Sequence, residues 1–291
     1  MKSVPFRGRV LVGVDGSEWS NAAVRWAADE ARRLDVPLHI LHAWMWPLYH
    51  VQLGPPPGAP PGAGLRARAE RVLSEAAHLA RMTSPGTSVG TTLATGAAAV
   101  ELLESAAEAQ MLVVGHRGLG GFSGLLLGSV GVTVTARAPC PVVVVRGDGP
   151  KGERIVVGVD GSPQSHLALV AAFGEAARRQ APMLVVHAWA MPLRAEGADG
   201  EYASELARGE HEGRQLAERE ASQASAGFPD VVYEVTVGDR SAGAELVDAT
   251  RDAQLVVVGS RGVGAFRGLL LGSTAHALLH HAACPVLVVR D

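Results

Sequence analysis

Apolar residues along this chain follow two spacings. Short unbroken runs rich in valine, leucine and isoleucine include RVLVG from Arg9, LHILHAW from Leu38, MLVVG from Met111 and VVVV from Val142. They return as RIVVGV from Arg154, MLVVHAW from Met183, LVVVG from Leu255 and VLVV from Val286. Continuous β-branched runs of this length are the pattern of strands buried on both faces, as in a parallel sheet. Between them lie stretches such as EWSNAAVRWAADEARRL and PQSHLALVAAFGEAARRQ, in which alanine and larger apolar residues recur at helical spacing. Ser17 and Ser162 are placed to cap these two helices, and Pro163 falls in a first turn, where its missing N–H is harmless.

Strand, helix and strand in succession predict right-handed crossovers in an α/β sheet. A helix from Leu65 to Met82, a strand in TSVGTTLAT and a helix in AAAVELLESAAEA lead into MLVVG, and YEVTVGD and GAELVDATRDA stand in the same order in the second half. GPPPGAPPGAG, from Gly54 to Gly64, and PLRAEGADGEY, from Pro192 to Tyr202, read as loops. Each half therefore carries five strands and four helices.

The repetition reaches individual residues. GHRGLGGFSGLLLGS, Gly115 to Ser129, returns as GSRGVGAFRGLLLGS, Gly259 to Ser273, at an offset of 144, and Cys140 and Cys284 keep the same offset. A period this long marks tandem copies of a whole domain rather than a solenoid. Domains at 1–147 and 152–291 follow, joined around Lys151 in GDGPKGE. Two residues are missing from the first half between Gly96 and Glu101, relative to Gly238 and Glu245.

Composition narrows the function. Lys and Arg total 26 against 29 Asp and Glu, a net charge of -3, with no long block of either sign. Nucleic acid and anionic membranes, which need concentrated positive charge, are not expected partners. The apolar runs are too short to span a bilayer, no export signal precedes Asp15, and two cysteines, each before a proline, fit buried thiols in a reducing cytosol. A soluble cytoplasmic protein is expected. His276, His280 and His281 share one predicted helix without an HExxH glutamate, and no GxSxG serine elbow occurs, so zinc and serine-hydrolase chemistry lack support.

The repeated glycine segment carries the chemistry. In each copy an apolar strand runs into a first glycine, and the pattern GxxGx9GS ends at a helix start: Gly115, Gly118, Gly128, Ser129, and Gly259, Gly262, Gly272, Ser273. Glycines admit an oxygen-rich group close to backbone amides, and a helix N-terminus favours negative charge. No lysine follows the final glycine and no GxGxxG follows the opening strand, which excludes the Walker and dinucleotide patterns. An anion cradle at the carboxyl ends of parallel strands remains.

VGVDGS after each opening strand, LHAW and VHAW at the second, GxxGx9GS in both halves and the CPVVVV and CPVLVV endings together resemble a tandem universal stress protein over nearly the whole chain. The resemblance implies two domains of the adenine nucleotide α-hydrolase-like fold, each a five-stranded parallel sheet with helices on both faces, binding ATP, ADP or AMP, with Mg2+ or Mn2+ at the phosphates. It implies Val14 and Val159 beside the base, Asp15 and Asp160 near adenine or ribose, and the backbone of Ala43 and Ala188 against adenine. Gly115, Gly118, Gly128, Ser129 and Val130 would hold ribose and phosphates, as would Gly259, Gly262, Gly272, Ser273 and Thr274. His116 stands where Ser260 offers a hydroxyl, and its imidazole can donate to phosphate; Arg117 and Arg261 can reach phosphate oxygens. The resemblance also implies pairing of the two domains within the chain and is compatible with a further homodimer. The activity expected is regulated binding in a stress response rather than turnover, with slow ATP hydrolysis, phosphate transfer and nucleotide-free interaction as the alternatives.

Overall fold

The computed structural model describes residues 8–44, 64–119, 127–146, 152–189, 199–263 and 270–290. Its contacts divide the chain into two units, Met1–Val145 and Arg146–Asp291. The stretch GPPPGAPPGAG lies outside the described residues up to Gly64.

In the first unit β1 (Arg9–Gly13), α1 (Glu18–Leu34), β2 (Leu38–Trp44), α2 (Leu65–Thr83), β3 (Val89–Thr95), α3 (Ala98–Ala106), β4 (Ala109–Gly115), α4 (Ser129–Arg137) and β5 (Val142–Val145) follow in order. All neighbouring strands run parallel, in the order β3-β2-β1-β4-β5. Helices α1 and α2 pack together on one side, α3 and α4 on the other. Consecutive residues of the inner strands, Val10, Leu11 and Val12, Leu112 and Val113, are fully buried, because helices cover both faces. Removing each such side chain from water contributes roughly 1.5–3 kcal/mol. Edge strand β3 is mostly open to solvent and carries threonines there.

The second unit repeats the plan with β6 (Arg154–Val159), α5 (Pro163–Arg179), β7 (Met183–Ala188), α6 (Asp199–Ser225), β8 (Tyr233–Gly238), α7 (Ala242–Ala249), a short 3-10 turn, β9 (Ala253–Gly259), α8 (Ser273–His281) and β10 (Val286–Val289). Its strands are also parallel, in the order β8-β7-β6-β9-β10. One expectation fails here: PLRAEGADGEY is not all loop, since α6 begins at Asp199 and runs 27 residues against 19 for α2. No helix among the described residues is long and apolar enough to cross a membrane.

Local signals set the helix ends. Ser17 Oγ accepts the Ser20 amide at 3.1 Å, and Ser162 Oγ accepts that of Ser165 at 3.1 Å. Both first helices terminate in left-handed residues, Asp35 and Gln180. In each sheet the chain leaves the first strand toward one edge and returns to the fourth on its other side. The ends of β1 and β4, and of β6 and β9, therefore diverge, and a crevice opens between them.

The second unit also buries a charge cluster on α5. Glu175 is 1% exposed, accepts the Arg179 Nε hydrogen at 2.9 Å and pairs with Arg178, while Arg179 is 5% exposed and donates on to Gln254. Burial pushes the Glu175 carboxyl up, but the Arg179 and Arg178 charges and their hydrogen bonds outweigh it and hold the carboxyl below its ordinary value. In the first unit the matching Glu30 pairs with Arg33 at 3.5 Å, and Leu34 stands where Arg179 would be. A lowered carboxyl stabilises fully above the ordinary carboxylate range and is lost as pH falls through the lowered value. Glu175→Ala is expected to destabilise the second unit by about 3–5 kcal/mol at neutral pH, because the buried Arg179 loses the carboxylate that offsets its charge. Urea unfolding followed by circular dichroism measures this, and Glu175→Leu with Arg179→Leu should recover part of the loss.

Candidate functional site

The crevice at the end of β1 is bridged by one carboxylate. Asp15 follows the strand, and its Oδ1 accepts the Ser17 amide at 3.0 Å, which closes the turn into α1. Its Oδ2 accepts the amide of Leu119, beyond β4, at 2.7 Å. Asp160 does the same in the second unit, taking the Ser162 amide at 3.0 Å and the Val263 amide at 2.9 Å. Burial raises the Asp160 carboxyl, but the Ser162 hydroxyl and amide, the Val263 amide and the Ser165 hydroxyl hold it below the ordinary aspartate value.

This tie explains the second glycine of the motif. A β-carbon at Gly118 would lie 2.3 Å from Asp15 Oδ2, and at Gly262 2.1 Å from Asp160 Oδ2. The glycine is there to let the carboxylate in, and not only to bare the loop for a ligand as its spacing suggests. The other end of each loop is stitched to its beginning: the Gly128 amide donates to the His116 carbonyl at 2.9 Å, and that of Gly272 to the Ser260 carbonyl at 2.8 Å. Gly128 and Gly272 then serve as N-caps of α4 and α8 without any side-chain cap, unlike Ser17 and Ser162. The first-turn amides of α4 and α8 have no intrahelical acceptor and open at the crevice.

A cavity of ≈ 430 Å³ occupies this place in the first unit and one of ≈ 240 Å³ in the second. Val14, Asp15, Ala43, Gly115, Arg117, Gly118, Gly128, Ser129 and Val130 all line the first. Val159, Asp160, Ala188, Gly259, Arg261, Gly262, Gly272, Ser273 and Thr274 all line the second. Leu41 and Leu102, with Val186 and Leu246 as their counterparts, complete apolar walls that the motif spacing does not reveal, because they come from β2 and β7 and from helices α3 and α7. Arg117 contributes a cation whose Nε is buried with no hydrogen-bond partner among the described residues.

His116 and Ser260 are the exceptions. His116 is 8% exposed and packs its ring edge-on against Trp19 at 4.5 Å, with Nδ1 donating to the Val145 carbonyl at 3.2 Å. Ser260 is 1% exposed, with its amide bonded to Val289. Neither side chain lines its cavity, so the expected imidazole or hydroxyl contact to phosphate is corrected to a buttress behind the loop. The residue following each first glycine turns inward because its amide continues the sheet onto β5 or β10.

His42 and His187 lie at the ends of β2 and β7. Their Nδ1 atoms bond the Val14 and Val159 carbonyls at 2.7 and 2.9 Å. A carbonyl only accepts, so Nδ1 carries the proton in each. Cys140 and Cys284 are buried thiols pushed up to about 11 and about 12 by burial. On α8 the His276 and His280 rings lie 4.4 Å apart, yet no group of three or more His, Cys, Asp or Glu among the described residues is arranged to hold a metal ion.

Comparison with known proteins shows the family and the fold. The model of the Universal stress protein family matches twice, at residues 7–146 and 152–290. A universal stress protein of Mycobacterium tuberculosis (strain ATCC 25618 / H37Rv) is 37% identical over 293 residues, covering 97% of each chain. One from Mycolicibacterium smegmatis is 34% identical over 293 residues, covering 97% of this chain and 96% of its own. Among solved structures, a universal stress protein from Archaeoglobus fulgidus DSM 4304 superposes with a TM-score of 0.67 at 19% identity, covering 98% and 97% of the two chains, which supports the fold.

The carboxylate tie has a direct test. Asp160→Asn turns one acceptor into a donor facing an amide, so the second unit should lose roughly 1–3 kcal/mol at neutral pH. The lowered carboxyl makes the wild-type contribution complete above the ordinary carboxylate range, and acid removes it as pH falls through the lowered value. Amide hydrogen exchange at Val263 should accelerate in the variant; an unchanged rate there would remove the pinning role.

Proposed function

Because the chain belongs to the universal stress protein family, with two such domains in tandem, we propose that each domain binds an adenine nucleotide, ATP first among them, as a regulatory ligand rather than a substrate turned over rapidly. The observation that carries this reading is the pair of uncapped helices, α4 and α8, whose first turns line the cavities beside Arg117 and Arg261. Unpaired amides, the positive end of a helix dipole and a guanidinium favour a phosphoryl group in the same place. The orphaned Nε of Arg117 fits such an anion.

The other end of each cavity suits a flat, largely apolar ring. Leu41, Ala43, Leu102 and Val114 line the first, and Val186, Ala188, Leu246 and Val258 the second. Asp15 and Asp160 lie between the two environments. Each oxygen already accepts one amide hydrogen and keeps lone-pair capacity for a ribose hydroxyl, whereas a phosphate would be repelled. A divalent cation, Mg2+ or Mn2+, would accompany the phosphates as part of the ligand. A cytosolic location and a homodimer belong to the same reading.

Gly128 separates binding from folding. Among the described residues other than its chain neighbours, a β-carbon there would find no atom closer than 3.8 Å, and its φ of -74 suits any residue. Neither the described packing nor the backbone angles require this glycine, so the reading assigns it to the approach of a ligand. Gly128→Ala should lower the thermal unfolding temperature without ligand by only a few degrees, since alanine is the poorer N-cap by about 1 kcal/mol but meets no close described atom. The same variant should weaken ATP binding at the first site by roughly tenfold or more. ATP, ADP or AMP should raise the wild-type unfolding temperature, and denatured protein should release nucleotide detectable by chromatography. No released nucleotide, with no shift from any of the three, would dismiss the proposal.

A further inference from the structure

The two cavities differ in a way that swaps one hydroxyl for one methyl. In the first turn of α4, immediately after Ser129, Val130 lines the first cavity; in α8 the same place, immediately after Ser273, holds Thr274, which lines the second. Both are half-buried, and both sit 144 positions apart in the repeat. Valine and threonine have nearly the same shape, so the difference is chemical: an inert methyl against a donor and acceptor. Flanking residues keep the frame, since Ser129 and Ser273 begin both helices and Gly128 and Gly272 cap both.

The residues around Thr274 suggest what its hydroxyl can serve. It belongs to the same first turn as the uncapped amides and lines the same cavity as Arg261. The amides and the guanidinium there attract negative charge, while the Asp160 carboxylate of the same cavity is engaged by the Ser162 and Val263 amides. We infer that Thr274 makes the second site the tighter one for phosphorylated nucleotides, by donating its hydroxyl to a phosphoryl oxygen for which Val130 offers no partner in the first. The inference rests on the proposed nucleotide binding and deepens it: one chain carries two sites of unequal affinity, and at rising ligand concentration the second domain fills before the first.

Hydrogen bonds to charged acceptors shift affinity by roughly tenfold or more, which two-site calorimetry on the full chain resolves. Wild-type protein titrated with ATP should show two classes of site separated by about tenfold. Thr274→Val should merge them into one weak class, Val130→Thr into one tight class, and Thr274→Ser should keep the wild-type inequality. Adenosine, which lacks a phosphoryl group, is the control ligand, and its affinities should not follow the swaps. Thermal unfolding without ligand confirms that each variant is folded. Two equal wild-type sites, swaps that leave the ATP isotherm unchanged, or an equal response with adenosine would each overturn the inference while leaving nucleotide binding intact. Absence of binding by ATP and adenosine alike would instead refute the proposed function, and the inference with it.

Discussion

Each candidate site depends on a carboxylate that reaches across the gap between two neighbouring strands. Asp15 leaves β1 and accepts an amide from Leu119 beyond β4; Asp160 leaves β6 and accepts one from Val263 beyond β9. These contacts join residues more than a hundred positions apart at the one place where the parallel order reverses and no strand hydrogen bond can hold the chain. Once the loop is tied there, its far end is fixed by the Gly128 and Gly272 amides, and α4 and α8 begin aimed at the crevice. The carboxylate is engaged by backbone amides of the turn and of the loop, and the same cavity is lined by an arginine and the first turn of a helix.

The tandem arrangement gives each unit the same skeleton with different reinforcement. Behind the first loop the His116 ring packs on Trp19, while behind the second stand Ser260 and Gln164. The second unit adds the buried Glu175 and Arg179 pair, and its α7 is capped by Ser241 where α3 begins at Ala97 without a side-chain cap. Such differences are invisible to a motif, which scores both copies as complete. They give two domains of one fold different packing behind the same motif.

Much of the architecture was legible because local and global demands agree. Unbroken valine runs such as Val142–Val145 can only be strands covered on both faces, and serine followed by an alanine-rich stretch at Ser17 and Ser162 can only open a helix. The glycine spacing picked out residues that line the two cavities. What the spacing could not convey was long-range geometry: that Gly118 is glycine because the Asp15 carboxylate lies against it, or that His116 turns into the core, since both depend on partners far along the chain. The start of α6 at Asp199 was hidden by glycines in a segment whose helical character resides in its later residues. Leu41 and Leu102 escaped notice for a related reason, being ordinary core residues in sequence and walls of a cavity only in space.

The central claim is that the first turns of α4 and α8 receive the phosphoryl end of an adenine nucleotide. Backbone amide chemical shifts of the full chain, recorded with ATP and with adenosine, test it most directly. The account predicts large shifts at Ser129 and Val130 and at Ser273 and Thr274 with ATP, together with the Nε signals of Arg117 and Arg261, and far smaller ones at these positions with adenosine. Saturating ATP that leaves those amides unmoved, or that moves a different surface of either domain, would contradict it.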